Sequence, residues 1–338
     1  MPFFQFTGDH SITAAGVTTQ YVEALTNVSL PYWLESLCHF DDMSMSSVQN
    51  YPVPEGQNGD LQLTPPGSES QFLDTTFKDV VIPNQRYTTG FRCDRKWLLN
   101  PQNTSSIIQR ASSSLEAVRK FWIKTVLRML NLGATSVTSR DGKLLFATDH
   151  IIGDVTGIAN TANLSLTTLG AAVSGSPTNP SPEDLHLAAT QAIVNTIGIK
   201  NGPGDEDYVN ISNQSFHLLL PLAWMGAAKK AFGETASAQL ISGILSKLGG
   251  AQIDSNSPEY NITYSCLPGL SAADTFFLYP TDTTEKPIIR RQTSLDVSEF
   301  GYDSELAKSS GLAAWLVEMW GGSGPFYFER IYRAKLVA

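Results

Sequence analysis

From Gln102 to Leu132 the chain carries neither proline nor glycine, and its apolar side chains fall at Ala111, Leu115, Val118, Trp122, Val126 and Met129, spaced 4, 3, 4, 4 and 3 residues apart. That spacing lines one face of an α-helix. It predicts a helix over 104–132, with Thr104 or Ser105 able to cap its start after Pro101 and Gly133 stopping it. At about 1.5 Å per residue the helix would run roughly 43 Å, well past the usual length of about three to four turns. Its other face carries Arg110, Arg119, Lys120, Lys124 and Arg128 against the single Glu116. The chain as a whole is acidic, with 23 Lys+Arg against 32 Asp+Glu and a formal net charge of −9. Positive charge is therefore concentrated on one long element. That face could be solvated, could meet nucleic acid, or could pair with acidic groups of a neighbouring copy, and charge complementarity between copies is the most economical of the three.

Around this helix the signals are mixed. A helical stretch is expected near Gln20–Leu25, and an apolar run follows at Tyr32–Leu37. Four prolines between residues 51 and 70 (Pro52, Pro54, Pro65, Pro66) exclude regular structure there and indicate an extended excursion. Two strand-like runs come next, 72–82 and 86–99, with Pro83-Asn84-Gln85 as the turn between them. After the long helix, Gly142–His150 reads as a short strand and turn, and a Ser/Thr/Gly/Asn-rich stretch runs to about 180. Pro182 opens a helix through Ile193, 216–220 reads as a buried strand, and 222–232 as another helix. Strands are expected at 261–267, 275–279, 287–292, 295–300 and 326–337. The class is α+β, without the regular alternation of a doubly wound sheet or barrel.

Chemistry-bearing motifs are scarce. The five histidines are scattered, and no Walker loop, GxSxG, HExxH or dinucleotide fingerprint is present. Asp149-His150 is the most catalytic-looking pair, and Asp41-Asp42 lies near His39, but a triad or metal site needs converging partners. Asp205-Glu206-Asp207 offers hard oxygen ligands, though a solvated loop is the simpler reading. The three cysteines, Cys38, Cys93 and Cys266, suit neither a disulfide framework nor a CxxC metal site and read as reduced thiols. No catalytic, cofactor-binding or metal-binding residue is assigned. Residues 1–9 lack the pattern of a signal peptide, and no apolar run reaches membrane-spanning length. The acidic balance argues for containment of nucleic acid rather than tight binding to it. Charged residues make up 16% of the chain, fewer than the quarter or so usual in soluble domains, which hints at surfaces covered by neighbours.

The order of these elements resembles the major capsid proteins of tailed bacteriophages, and most of all the Mu-like major head subunit family. The likeness rests on a Pro-interrupted arm with two strands, one long amphipathic helix, and then Asp141-Gly142-Lys143-Leu144-Leu145-Phe146-Ala147-Thr148-Asp149-His150. Asn163–Leu169, Leu218–Ala228 and the Lys286-Pro287-Ile288-Ile289-Arg290-Arg291-Gln292 strand continue it, so that it covers residues 70–338. The resemblance implies a Hong Kong-97-type capsid fold. An N-terminal arm and leading segment would occupy 1–50, an E-loop 51–93, and a peripheral domain 94–154 with its spine helix at 104–132. An axial domain would take most of 155–285, and 286–338 would return as strands to the peripheral domain.

It further implies a non-enzymatic subunit that forms hexamers and pentamers, tiles an icosahedral shell around double-stranded DNA, and resides in the virion after assembly in the bacterial cytoplasm. A portal, cement proteins and a separate scaffold protein are the expected partners, with no membrane and no cofactor. The scaffold is expected as separate because the chain begins near the arm, unless it is a trimmed mature form. Inter-subunit contacts would fall on Arg119, Lys120, Lys124 and Arg128 of the helix and on Phe77 and Lys78 of the arm. Lys78 is also the lysine to examine for the Lys–Asn cross-link of some relatives, ordinary exposure being the simpler expectation. Rival readings are an encapsulin-like cargo shell, a hydrolase using His150 or the Asp41-Asp42 pair, and a tail or baseplate protein.

Overall fold

The computed structural model describes residues 30–41, 48–55, 76–94, 96–97, 104–153, 155–167, 175–200, 208–210, 212–232, 260–292, 296–300 and 304–338. The helical stretch expected at 20–25, the proline-rich run 56–70, the acidic group 205–207 and the side chains of Thr104 and Ser105 lie outside the described residues.

The elements are α1 (Tyr32–Leu37), β1 (Cys38–Asp41), β2 (Val48–Glu55), β3 (Thr76–Pro83), β4 (Gln85–Asp94), α2 (Thr104–Leu132), β5 (His150–Ile152), β6 (Val155–Ile158) and β7 (Thr161–Ser165). There follow α3 (Pro182–Ile197), β8 (Ser215–Pro221), a 3-10 turn at Leu222–Trp224, α4 (Met225–Phe232), β9 (Asn261–Leu267), β10 (Thr275–Pro280), β11 (Ile288–Gln292) and β12 (Asp296–Phe300). The chain closes with α5 (Glu305–Ser310), β13 (Leu312–Pro325), a 3-10 turn at Phe328–Arg330, and β14 (Tyr332–Val337).

Two five-stranded sheets organise the molecule. The inner sheet has the order β7-β14-β10-β8-β9. Its central strands are near-continuous apolar runs, Phe216–Leu220 interrupted only by His217 and Phe276–Tyr279 unbroken, as expected of strands covered on both faces. Phe276 meets Trp224 of the 3-10 turn on one face (6.2 Å between ring centres), and Phe277 meets Phe146 on the other (5.2 Å). Helix α3, with α4 packed on it, covers the first face. It starts with a capping box in which Ser181 and Asp184 satisfy each other's backbone N–H groups. The second face is closed by α1, whose Trp33 carbonyl accepts from the Tyr279 hydroxyl at 2.9 Å, and by Val126, Met129 and Leu130 of α2.

The outer sheet has β1 parallel to β11, β11 and β12 end to end along one edge of β13, and β4 along the other edge from Gln85↔Gly321 to Asp94↔Leu312. A separate antiparallel pair, β2 with β3, lies over it, with Val53, Val80 and Ile82 packed against Ile289. The glycines of β13 make this approach possible: a Cβ on Gly322 would stand 2.3 Å from the Pro83 carbonyl oxygen, and one on Gly324 2.7 Å from the Ile82 Cδ1.

Helix α2 spans 104–132 as its periodicity predicts, and it joins the two sheets. Ile107 packs with Cys93 and Trp315 of the outer sheet, whereas Val126, Met129 and Leu130 enter the inner core. Asn131 ties its last turn to the loop before β10, donating to the Gly269 carbonyl at 2.8 Å and accepting from Ser271 N–H at 3.0 Å. Gly133 ends the helix beside Phe146, whose ring would lie 2.6 Å from any added Cβ.

Several sequence expectations need correction. The strand expected at 86–99 ends at Asp94, and residues 51–55, expected to lack regular structure, belong to β2, which pairs with β3 in spite of Pro52 and Pro54. The span 326–337 is not one strand, since a 3-10 turn at Phe328–Arg330 precedes β14. The fourteen residues of β13, absent from the sequence reading, form the longest strand among the described residues.

Candidate functional site

The Asp141–His150 segment leaves α2 through a tight turn in which Gly142 has φ +79°, open to glycine and strained for other residues. Asp141 organises the turn. Its carboxylate accepts from Lys143 N–H (3.1 Å), Ile151 N–H (3.1 Å) and His150 Nδ1 (2.7 Å). Burial alone would raise its pKa, but these hydrogen bonds outweigh that and hold the carboxyl below its usual range. His150 is fully buried, its Nε2 lies 3.2 Å from the Leu145 carbonyl, and its ring stacks on Phe328 at 3.9 Å. The expected Asp149–His150 pair therefore does not form. Asp149 turns outward to Lys143 at 2.6 Å, and the real partner of His150 is Asp141. Neighbouring residues in sequence point apart here because His150 opens a strand whose side chains alternate.

Two further buried groups complete this node. Asn160 donates to the carbonyls of Leu145 (2.7 Å) and Phe328 (3.0 Å) and accepts from Ala147 N–H (3.1 Å). Arg140 meets Glu329 through two bonds of 3.0 Å, with its guanidinium 4.6 Å from the Phe328 ring centre. The arrangement pins the exit of α2 to the turn before β14. It offers no face to a substrate, because both nitrogens of His150 and the Asp141 carboxylate are committed internally. Sequence reasoning passed over Arg140, Asn160 and Glu329, which have no motif spacing; only their position beside Asp141–His150 could have drawn attention.

The other candidates are equally self-contained. His217 is buried between the hydroxyls of Thr263 (2.7 Å) and Ser265 (3.0 Å), and burial lowers its pKa to about 4. Asp41 accepts from the Tyr51 hydroxyl, His39 lies beside the Phe326 ring, and Asp42 is outside the described residues. The three cysteines are free thiols, and burial pushes Cys38 up to about 12. Among the described residues no three His, Cys, Asp or Glu side chains converge as a metal set, and no helix is long and apolar enough to cross a membrane. Among the described residues, an open groove lies between β4, α2 and β13 and another between β6, β7 and α3, and neither is lined by a carboxylate, histidine or cysteine.

The surface carries more signal. On α2, Glu116 sits 3.8 Å from both Arg119 and Lys120, while Lys124 and Arg128 are exposed. Arg110 is occupied, donating to the Arg92 carbonyl at 3.0 Å beneath Trp97. On β3 the inward residues Val80 and Ile82 alternate with Phe77, Asp79 and Val81, all exposed, Phe77 by 63% and Val81 by 56%. Two apolar side chains thus stand exposed on one outward strand face. Lys78 points to the inward side and is half-buried.

The chain is similar in structure to two capsid subunits. Against the capsid of the cyanophage P-SCSP1u the TM-score is 0.54 at 13% identity, covering 90% of this chain and 87% of that one. Against the mature capsid of bacteriophage PhiM1 it is 0.50 at 10% identity, covering 99% of this chain and 92% of that one. No protein-family model and no curated protein matches the sequence. The fold is thus that of tailed-phage capsid subunits, as the order of sequence elements suggested.

Proposed function

We propose that this chain is the major capsid protein of a tailed double-stranded DNA bacteriophage, assembling as hexamers and pentamers into an icosahedral shell. The observation that carries the reading is that its fold matches phage capsid subunits over nearly the whole of both chains. Its physics agrees. The histidine–carboxylate pair is sealed into the core, whereas exposed apolar side chains gather on the β2–β3 pair, where a neighbour would cover them. The net charge of −9 suits enclosure of DNA rather than tight binding to it.

In this reading 1–50 is the N-terminal arm, 51–93 the E-loop with β2–β3 at its base, 94–154 the peripheral domain with α2 as spine, 155–285 largely the axial domain, and 286–338 the return strands. Arg119, Lys120, Lys124, Arg128, Phe77 and Lys78 belong to contacts between copies, with the first two already partly neutralised by Glu116. The Asp141–His150 turn supports kinship with Mu-like head subunits, as a structural staple rather than a catalytic pair. Scaffold, portal and cement proteins are the expected partners, and the virion the destination, reached from the host cytoplasm.

Negative-stain electron microscopy of the purified protein, alone and with its candidate scaffold, tests the reading. Closed shells, or rings of five and six, are expected; a monodisperse monomer under both conditions overturns it.

A further inference from the structure

Arg290 is a buried cation with no counter-ion among the described residues. It keeps 8% of its surface, its guanidinium is held between the rings of Phe40 (4.4 Å) and Trp122 (5.2 Å), and its Nε has no hydrogen-bond partner. Among the described residues it makes no hydrogen bond and no ion pair; Glu35 acts on it only at a distance. Trp122 is itself satisfied, donating to Gln292 at 2.7 Å, and Phe40 stays 48% exposed beside the slot. The two aromatic rings offset part of the cost of enclosing this charge, and a counter-ion would offset more. A planar guanidinium fixed between aromatic faces is ready to accept a carboxylate through two parallel bonds.

A matching carboxylate exists on the same chain. Asp79 lies exposed on β3 between Phe77 and Val81, opposite Pro52 in the register, with no ion pair among the described residues. The two groups cannot meet within one copy. Along β11, Ile289 faces the β2–β3 pair whereas Arg290 faces α2 and Trp122, so the slot opens on the far side of the outer sheet. Asp79 points outward from the other face of the β2–β3 pair. Two complementary groups turned away from each other on one subunit define a head-to-tail contact, the kind that closes into rings.

We propose that the slot formed by Phe40, Arg290 and Trp122 docks a carboxylate of a second copy of this chain, and that Asp79, flanked by Phe77 and Val81, is that carboxylate. The apolar flanks on both sides would exclude water and strengthen the pair. The contact rests on the reading of the chain as a self-assembling subunit, and it names the groups that hold neighbouring copies together.

The test uses the full chain with Arg290→Met, Asp79→Asn and the double variant, comparing assembly by sedimentation and thermal unfolding of the unassembled subunit. Methionine fills the space of the arginine stem without its charge. Each single variant should raise the protein concentration needed for assembly on the order of ten-fold or more, as for other desolvated charge pairs across interfaces. The double variant should be no worse than either single. The melting temperature of the unassembled subunit should hold or rise in Arg290→Met, since an unpaired buried charge has been removed. A fall in that temperature makes Arg290 a structural residue and overturns the proposal, as do additive assembly defects or normal assembly by Asp79→Asn, a surface change that leaves folding alone. A wild-type chain that never assembles overturns the shell reading and this contact together, whereas a wild-type that assembles beside an equally competent Asp79→Asn overturns the contact only.

Discussion

The two sheets of this molecule are built to different specifications. In the inner sheet every side chain of β10, from Thr275 to Pro280, is buried, and both faces are closed by elements of the same chain. In the outer layer β12 is exposed at nearly every position, β4 is exposed or half-buried everywhere except at Cys93, and the β2–β3 pair turns Phe77 and Val81 to solvent. The same contrast appears in two Arg–Glu pairs. Arg140 and Glu329 are buried with two bonds of 3.0 Å, whereas Arg86 and Glu318 pair across β4 and β13 with the arginine side chain 52% exposed. The first region is closed on both faces by its own chain; the second, among the described residues, is closed on one side only. In a chain that assembles as proposed, a difference of this kind would separate what the subunit needs for folding from what it offers to neighbours.

The strongest attempt to break the comparison is Phe276→Ala. This ring is fully buried against Trp224, and its loss should cost about 3–5 kcal/mol, read as a lower denaturant midpoint at unchanged slope. Next comes Glu329→Gln, which leaves the Arg140 cation buried without a counter-charge and should cost about 3 kcal/mol. The matched control, Glu318→Gln, should leave the midpoint unchanged, because an exposed pair is screened by solvent. Equal effects from the two substitutions would show that the outer layer is as internally committed as the inner one.

Much of this division was legible in the sequence, and the parts that were not share a cause. Helix α2 was readable to its ends because its stripe repeats without a break from Ala111 to Met129 and Gly133 stops it. Strands β8 and β10 were readable because burial on both faces leaves them mostly apolar, with His217 the one polar side chain inside the run. Strand β13 escaped, although Ala313, Trp315, Val317 and Met319 alternate as a strand requires. Its last residues, Gly321-Gly322-Ser323-Gly324, read as a breaker, and what they do is admit the backbone of a pair over two hundred residues away in sequence. At the candidate site, the turn Asp141–His150 was visible but its chemistry was misread, because the partner of His150 is nine residues away rather than adjacent. Arg290 looked like any strand arginine until Phe40 and Trp122 were placed on either side of it.

Acid should sharpen the contrast next. His217 lies in the inner sheet, and burial holds its pKa at about 4, against about 6.5 in an unfolded chain. Above pH 6.5 the group is neutral in both states and adds no pH dependence. As pH falls below 6.5 the unfolded chain takes up a proton that the folded chain refuses, so stability is lost until the folded form titrates near 4. By pH 4.5 the loss should be on the order of 2 kcal/mol, and His217→Gln, which keeps polar atoms beside Thr263 and Ser265, should remove it. A residual slope is expected from His186, also lowered by burial. Urea titrations of both proteins at pH 7.0 and 4.5 decide this, and parallel losses in the two would remove His217 from the account.

The smallest effect on folding, and the most telling, is expected from Phe77→Ser. A phenylalanine 63% exposed on an outward strand face has little buried area to lose, so the melting temperature of the unassembled subunit should stay within the scatter of surface substitutions, about 0.5 kcal/mol. If that face is finished by a neighbour, the same change removes a large apolar group from every repeat of the contact, and assembled particles should become scarce at concentrations where the wild-type forms them. Stability and assembly would then respond oppositely at Phe276 and Phe77: the first change lowers the midpoint of the subunit, the second spares it and lowers only the yield of particles. A Phe77→Ser subunit that melts as early as Phe276→Ala would mean that the outer face is already covered within its own chain, and the distinction between a finished and an unfinished sheet would fall.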